Sequence, residues 1–364
     1  MWHAANNILA CRTALLGGHV IRCPNGHQQH IAYNSCRHRC CDQCALLARE
    51  QWLDGWTNRL LDCPHYHVIF TVPHDLNTLW RFNRKRFAGA MFAAATGTLK
   101  KLLADPKYMG SEPGMLAALH TWSQTLATHV HLHVLVTAGG LSEDNNWREP
   151  IKSCLLPRKV LMIIFRGKLR SELLVALERG ELNPPPSQTP PQLRGLLNKL
   201  GRQVWNVKIL DRYEHGLGVV KYLARYLKGG PIAASRFLSV SRQAIRFRCR
   251  GNARDGEGSG GDCRLTSGEF FTRILNHVPP RGMQTVRGYG LYAGSQRKRL
   301  NVARESLGQT ALPSGPRKRP NWRDVCLRIG RSDVVTCRVC SSPLVIDSPL
   351  RGGRSPPRLL PIEN

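Results

Sequence analysis

The sequence predicts an α+β fold: an antiparallel sheet with helices packed on it, preceded by a small cysteine-rich module and followed by a basic tail. Three observations carry this. Segments of strand and helix periodicity interleave, and several strand pairs lie close in the chain, which favours hairpins over parallel crossovers. Cysteines crowd between Cys11 and Cys44. From Arg281 onward the chain is basic and rich in Pro and Gly, a composition that disfavours regular order. The expected division is 1–63 for the cysteine module, 64–295 for the sheet domain and 296–364 for a partly disordered tail.

Ala45 to Leu61 reads as a helix, with Leu46, Leu53, Trp56 and Leu60 at helical spacing and Pro64 ending it. His67–Pro73 is a strand of β-formers stopped by its proline. Asp75 is placed to cap a long helix reaching Leu103. Strands follow at Met115–Trp122 and His129–Thr137, the second ended by Gly139-Gly140. Arg158–Leu177 has the pattern of a basic amphipathic helix, and the proline-rich Pro184–Gln192 reads as a linker. A helix then leads to a strand at Val204–Leu210, and a short helix at Val219–Leu227 is stopped by Gly229-Gly230-Pro231. Strand-like segments run to Arg250, and Gly251–Asp262 reads as a loop.

Charge bounds the function. The 364 residues hold 53 Lys+Arg against 24 Asp+Glu, a net charge of +29. That much self-repulsion calls for a polyanionic partner, with nucleic acid ahead of an anionic membrane or ribosomal surface. No run of about 18 apolar residues marks a membrane span. The start, MWHAANNILACRTALLGGH, lacks the basic opening of a signal peptide. The 13 cysteines are therefore expected in a reducing, cytoplasmic setting, where clustered thiols bind metal more often than they pair.

Two motifs point to chemistry. Thr128–Thr137 alternates with period two, so His129, His131 and His133 share one strand face while Val130, Leu132 and Val134 face a core. Imidazoles so placed can hold a divalent cation with open positions. In Val219–Lys228, Tyr222 and Tyr226 stand at i and i+4 beside the cations Lys221, Arg225 and Lys228. Phenols flanked by cations suit attack on a phosphodiester, although tyrosines at this spacing taken alone more often pack a core edge.

The blocks CRTALLGGH, YNSCRHRCCDQC, YHVIFTVPHDLN, LHTWSQTL, HLHVLVTAGGLS and YLARYLKGGPI resemble the HUH endonucleases. More narrowly, they resemble the two-tyrosine transposases of the insertion-sequence ninety-one group, over roughly Cys11 to Gly294. The resemblance implies an HUH-type sheet directly behind a zinc-binding module. It implies His131 and His133 as ligands of Mg²⁺ or Mn²⁺, and Tyr222 and Tyr226 as nucleophiles. A third ligand is usual in the superfamily, with His67 and His129 as candidates. The implied reaction is rolling-circle-like transposition: nicking of single-stranded DNA at transposon ends, a 5′-phosphotyrosine, and strand transfer to a target. A bacterial cytoplasmic protein associated with the nucleoid fits that role. No phosphate-binding GxxxxGK[ST] loop is present, as expected where the phosphotyrosine conserves bond energy. The alternative, a non-catalytic zinc protein that binds nucleic acid, explains charge and cysteines but not the two motifs.

Zn²⁺ takes four S or N ligands. The expected set is Cys23, Cys36, Cys41 and Cys44, with Cys11, His27 and Cys40 as alternates. His27 stands near the family's second CxxC cysteine, and Cys40 where the family often has histidine. Arg37 and Arg39 beside them suit phosphate contact. A lone CxxC, Cys337 to Cys340, lies in the tail without an evident partner pair.

Overall fold

The structure, a computed structural model, describes residues 2–41, 43–151, 155–227, 230–249, 261–315 and 317–353. Its elements in chain order begin with α1 (Trp2–Ala10), β1 (Gly18–Arg22), β2 (Gln29–Tyr33), α2 (Ala45–Thr57), β3 (His65–Thr71), α3 (Asn77–Phe82) and α4 (Arg84–Leu103). There follow β4 (Glu112–Trp122), β5 (Thr128–Leu141), β6 (Trp147–Arg148), α5 (Arg158–Glu178), α6 (Pro190–Leu200), β7 (Val207–Tyr213) and α7 (Leu217–Leu227). The last third holds β8 (Phe237–Val240), β9 (Ala244–Arg248), β10 (Asp262–Thr266), α8 (Ser267–Asn276), β11 (Val286–Gly290), α9 (Arg297–Ser306), α10 (Trp322–Arg328) and β12 (Val345–Leu350).

The chain forms two compact units: Met1–Gly55 with Ala224–Arg236 and Gly315–Asn364, and Trp56–Leu223 with Phe237–Ser314. The first unit draws on three separate stretches of the chain, whereas the sequence suggests serial boundaries at 63 and 295.

In the second unit the strands run in the order β11-β4-β5-β3-β7, all antiparallel, with β6 beside the end of β5. Strand alternation gives this sheet one apolar face. Val68 and Phe70 of β3, Met115, Ala117 and Leu119 of β4, and Val130, Leu132, Val134 and Val136 of β5 all enter one core. Helices α4, α5 and α6 supply the other side of it, through residues such as Phe87, Met91, Leu99, Phe165, Leu169 and Leu197. Phe165 is fully buried, its ring centroid 4.7 Å from Phe70 and 5.8 Å from Trp205. Truncating such a ring to Ala costs about 3–5 kcal/mol. A smaller antiparallel sheet, β10-β9-β8, packs Phe247 and Phe237 against Phe270 of α8.

Several sequence expectations shift. Gly139-Gly140 does not end β5, which continues to Leu141. A Cβ on Gly139 would lie 2.5 Å from the Trp147 ring, and one on Gly140 2.6 Å from the Glu112 carbonyl, so these glycines admit close neighbours within the strand. The long helix is split at Asn83, whose amide donates to the Leu79 and Asn183 carbonyls, and Asp75 lies in a preceding 3₁₀ turn. The seventh strand begins at Val207, because Trp205 is drawn into the core and donates its indole N–H to Leu200. The proline-rich linker ends early, at a Thr189–Gln192 capping box that starts α6. The segment from Arg281 is ordered over much of its length, supplying β11, α9, α10 and β12. Its prolines and glycines sit largely between those elements, so composition averaged over the segment concealed them. The residues of the expected 251–262 loop up to 260, and Lys228 and Gly229, lie outside the described residues.

The first unit is built on the antiparallel sheet β12-β1-β2. Gly18 lies opposite both Tyr33 and Leu350, which makes β1 the central strand. Arg22 Nε donates to Asp347 Oδ1 at 2.6 Å across the β1–β12 pair. Gln51 of α2 donates to the Pro320 carbonyl at 2.9 Å. The apolar cluster under the sheet is small: Ile21, Cys23, Cys337 and Leu344, with Ala32 and Cys340 against it.

Candidate active site and metal centres

The sheet face turned away from the α4–α5–α6 core carries the histidines. The register sets them side by side. His120 of β4 lies directly opposite His131 of β5, and His133 lies opposite Ala118 on one side and Ile69 on the other. Directly opposed residues share a face, and diagonal neighbours remain in reach. His120, His131 and His133 consequently converge, with one nitrogen from each lying within 4.8 Å of the others. Ring centroids are 4.3 Å apart for His120–His133, 4.8 Å for His131–His133 and 5.5 Å for His120–His131.

Hydrogen bonds orient two of these rings. His131 Nδ1–H donates to the His129 carbonyl at 2.8 Å, which leaves the lone pair on Nε2. His133 Nδ1 is 2.7 Å from His67 Nε2, while His133 Nε2 is buried with no hydrogen-bond partner. Burial, reinforced by the neighbouring imidazoles, holds His120 and His133 well below the usual histidine range and His131 at about 4. Burial also lowers His67 to about 4. Neutral imidazoles are the ligand-competent form.

Of the candidates read from the sequence, His131 and His133 are together. His129 is half-buried and its ring lies 4.8 Å from His131, but it is not among the three converging nitrogens, and its Nδ1 is 3.1 Å from His74 Nε2. His67 touches His133 rather than joining the three. The third member is His120, which sequence reasoning passed over although it lies in the LHTW block. Only the strand register could have singled it out.

Tyr222 stands on α7, whose Val219, Val220 and Leu223 are buried. Its ring centroid is 6.0 Å from His133 and 6.4 Å from His120, and the side chain is 38% exposed, open enough for a substrate to reach. Lys221 beside it is exposed. Tyr226 lies one turn further along the same helix; its side chain, like that of Arg225, is outside the described residues, as is the whole of Lys228. One cation not singled out in the sequence, Lys208 of β7, lies opposite Ile69, in line with His133, and its charge helps lower His129.

The cysteines form two groups. Cys11, Cys36, Cys41 and Cys44 bring their sulfurs within 4.8 Å of one another. Cys36 Sγ lies 3.7 Å from Cys44 Sγ, and the Cys36 and His38 amides donate to Cys11 Sγ and Cys36 Sγ. Burial pushes the Cys44 thiol up to about 11 and that of Cys41 higher still. Cys23 is not in this group, contrary to the expected set, and Cys11 takes its place. Cys23 and His27 instead meet Cys337 and Cys340, so the tail CxxC is not alone. The reason is β12, which pairs along β1 and carries the CxxC to the turn that follows β1. Cys40 joins neither group; it is half-buried, and burial raises its thiol to about 11. Arg37 is exposed at a backbone φ of 53°, next to Cys36, and Arg39 is half-buried.

The sheet that presents clustered histidines to a tyrosine helix, and the tetracysteine group that precedes it in the chain, lie within segments that match known families. Residues 114–299 match the family described as "Putative transposase", and residues 1–72 match the "Transposase zinc-binding domain". The chain is 33% identical over 361 residues to "Putative transposase y4qJ" of Sinorhizobium fredii, covering 96% of this chain and 89% of that protein. It is 30% identical over 355 residues to "Transposase for insertion sequence element IS801" of Pseudomonas savastanoi pv. phaseolicola, covering 95% and 83%. The chain belongs to this transposase family, with the N-terminal zinc-binding domain of the insertion-sequence ninety-one group. Among solved structures, the conjugative relaxase TrwC in complex with oriT DNA aligns over 44% of this chain and 72% of that one, at 14% identity. Its TM-score of 0.25 is too low to bear on fold or activity. No helix among the described residues is long and apolar enough to cross a membrane.

Proposed function

We propose that the second unit nicks single-stranded DNA through Tyr222, assisted by Mg²⁺ or Mn²⁺ held by His120, His131 and His133. The product is a 5′-phosphotyrosine that supports rolling-circle-like transposition. The observation that carries this reading is the Tyr222 ring beside the buried imidazoles of His120 and His133, which converge with the half-buried His131 on one sheet face. The donor set fits a cation: His133 Nε2 is buried without a hydrogen bond, and the His131 tautomer leaves Nε2 as a lone-pair donor. When bound, the cation would polarise a phosphate oxygen as a Lewis acid.

The chain's own residues do the rest. Tyr222 Oη forms the new bond to phosphorus, the P–O3′ bond breaks, and the departing 3′ oxygen takes up a proton. A phenol with an ordinary pKa of about 10 must lose its own proton on the way, and the exposed Lys221 favours that anion. His67, bonded to His133 Nδ1, fixes the orientation of that ring. Tyr226 serves the second strand, with Arg225, Lys228, Arg37 and Arg39 as phosphate contacts. The Cys11, Cys36, Cys41 and Cys44 group holds the zinc of the N-terminal domain, four thiolates closing a structural site. The partner is single-stranded DNA at transposon ends and target.

The test is a covalent adduct. With labelled single-stranded DNA and Mn²⁺ or Mg²⁺, the wild type should give a labelled protein band that survives denaturation. Tyr222→Phe with Tyr226→Phe should bind DNA and give none. Mass spectrometry of the nuclease-trimmed adduct should find the nucleotide on one of these tyrosines. Cleavage without an adduct would point to water as nucleophile, and binding without cleavage to a non-catalytic protein; either removes the proposal.

A further inference from the structure

We infer that Cys23, His27, Cys337 and Cys340 form a second zinc site, separate from the tetracysteine group, that fastens the C-terminal segment to the N-terminal sheet. The four donor atoms lie within 4.8 Å of one another. Two come from the turn after β1 and two from the turn ahead of β12, and these two strands pair. The N-terminal zinc-binding domain match ends at residue 72, so it does not account for Cys337 or Cys340.

Three of the ligand–ligand distances lie close to those that zinc requires. Zinc bonds of about 2.3 Å to sulfur and about 2.0 Å to nitrogen require ligand–ligand edges of roughly 3.5–3.8 Å. Cys23 Sγ stands 3.5 Å from Cys340 Sγ and 3.7 Å from His27 Nδ1, and Cys337 Sγ 3.9 Å from the same nitrogen. The two turns present their sulfurs in the same way. The Asn25 amide donates to Cys23 Sγ and the Val339 amide to Cys337 Sγ, each two residues on and each at 3.4 Å. Backbone N–H groups aimed at sulfur stabilise thiolates, the state that zinc needs. Asn25 Nδ2 adds a contact to Cys340 Sγ at 3.5 Å.

The surroundings call for such a fastening. The apolar cluster here has Ile21 and Leu344 as its buried aliphatic side chains, and Cys23 and Cys337 are themselves its other buried members. So small a core does not close on hydrophobic burial alone, and units of this size commonly fold around a metal. The site also differs chemically from the first: three sulfurs and one imidazole against four sulfurs.

Zinc content of the full-length protein, measured after exhaustive dialysis, tests this whether or not the protein nicks DNA. The wild type should hold two zinc ions per chain. Cys337→Ser with Cys340→Ser should hold one, and so should Cys36→Ser with Cys44→Ser. The single remaining ion in each case separates failure of one site from failure of the other. Should a serine variant not fold, His27→Cys provides the second arm. It should keep two ions, and Co²⁺-loaded protein should lose the three-sulfur, one-nitrogen absorption in favour of the four-sulfur one. Two ions retained in the Cys337→Ser, Cys340→Ser protein would overturn the site. So would one ion in the wild type with Cys337 and Cys340 open to alkylation, or a Co²⁺ spectrum unmoved by His27→Cys.

Discussion

The histidine cluster and the cysteine clusters are both sets of converging ligands, yet they are assembled by opposite means. His120, His131 and His133 stand on two adjacent strands whose other faces fill the largest core of the molecule. Their geometry is fixed by backbone pairing before any ion arrives. The cysteines stand on turns and loops, Cys23 and Cys337 themselves form half of the buried members of a small apolar cluster, and Cys23 and Cys340 meet because β12 returns to β1. Under the proposed function, metal in the first region would complete chemistry on a finished scaffold; in the second it would complete the scaffold. Removing a ligand should therefore abolish activity in one region and folding in the other.

The largest effect should come from Cys41→Ser with Cys44→Ser. Structural zinc supplies an apparent ~10–16 kcal/mol in small modules, so the first unit should lose the tetracysteine ion and much of its melting stability, keeping only the ion of the second site. The thermal transition of the second unit should persist; its disappearance would erase the contrast. Next is His131→Ala or His133→Ala. Nicking should fall on the order of 10³-fold, the scale of losing a stabilising group at a strained phosphate. Single-stranded DNA binding and the sheet's melting should largely survive. His120→Ala should match them, whereas His129→Ala, outside the cluster, should nick near wild-type rates.

Acid should sharpen the contrast through histidines that are not ligands. Burial lowers both His65 and His277 to about 4, while an unfolded histidine titrates near 6.5. The unfolded state thus binds more protons between those values. Stability from each is full above about pH 6.5 and drains away as pH falls toward 4, by at most about 3 kcal/mol per histidine. Replacing His277 with Asn should flatten that slope in a melting series from pH 7 to 4.5, and an unchanged slope would count against it. The smallest effect belongs to Arg22→Ala. The Arg22–Asp347 pair is well exposed, at 51% and 37% of the side chains, so it should contribute no more than about 1 kcal/mol. A larger loss of zinc or melting temperature would mean that charge rather than metal holds β12 to β1.

What the sequence made legible was local. The period-two run Thr128–Thr137 showed which face His131 and His133 share, and the i, i+4 spacing placed Tyr222 and Tyr226 on one helix. His120 escaped because its neighbourhood depends on the register of β4 against β5, and that ladder shifts on both sides of it, at Pro113–Met115 and again at His120–Trp122. Cys11 and Cys23 exchanged roles because spacing along a chain does not say which turn faces which. The ordering of the tail was hidden for a related reason. Val345–Leu350 is interrupted by Asp347, Ser348 and Pro349 and stays largely exposed, and it becomes a strand because β1 offers it an edge.

That edge has a consequence for biosynthesis. β12 leaves the ribosome more than 300 residues after β1. At about 5–20 residues per second, β1 waits roughly 15–70 seconds for it. Through that interval one side of β1 shows unpaired N–H and C=O groups, the template on which strands of different chains join. A chain terminated anywhere before Val345 would keep that edge permanently. Nonsense truncations and stalled translation products of this protein should accordingly collect in inclusion bodies, even where the histidine strands and the tyrosine helix have already been made.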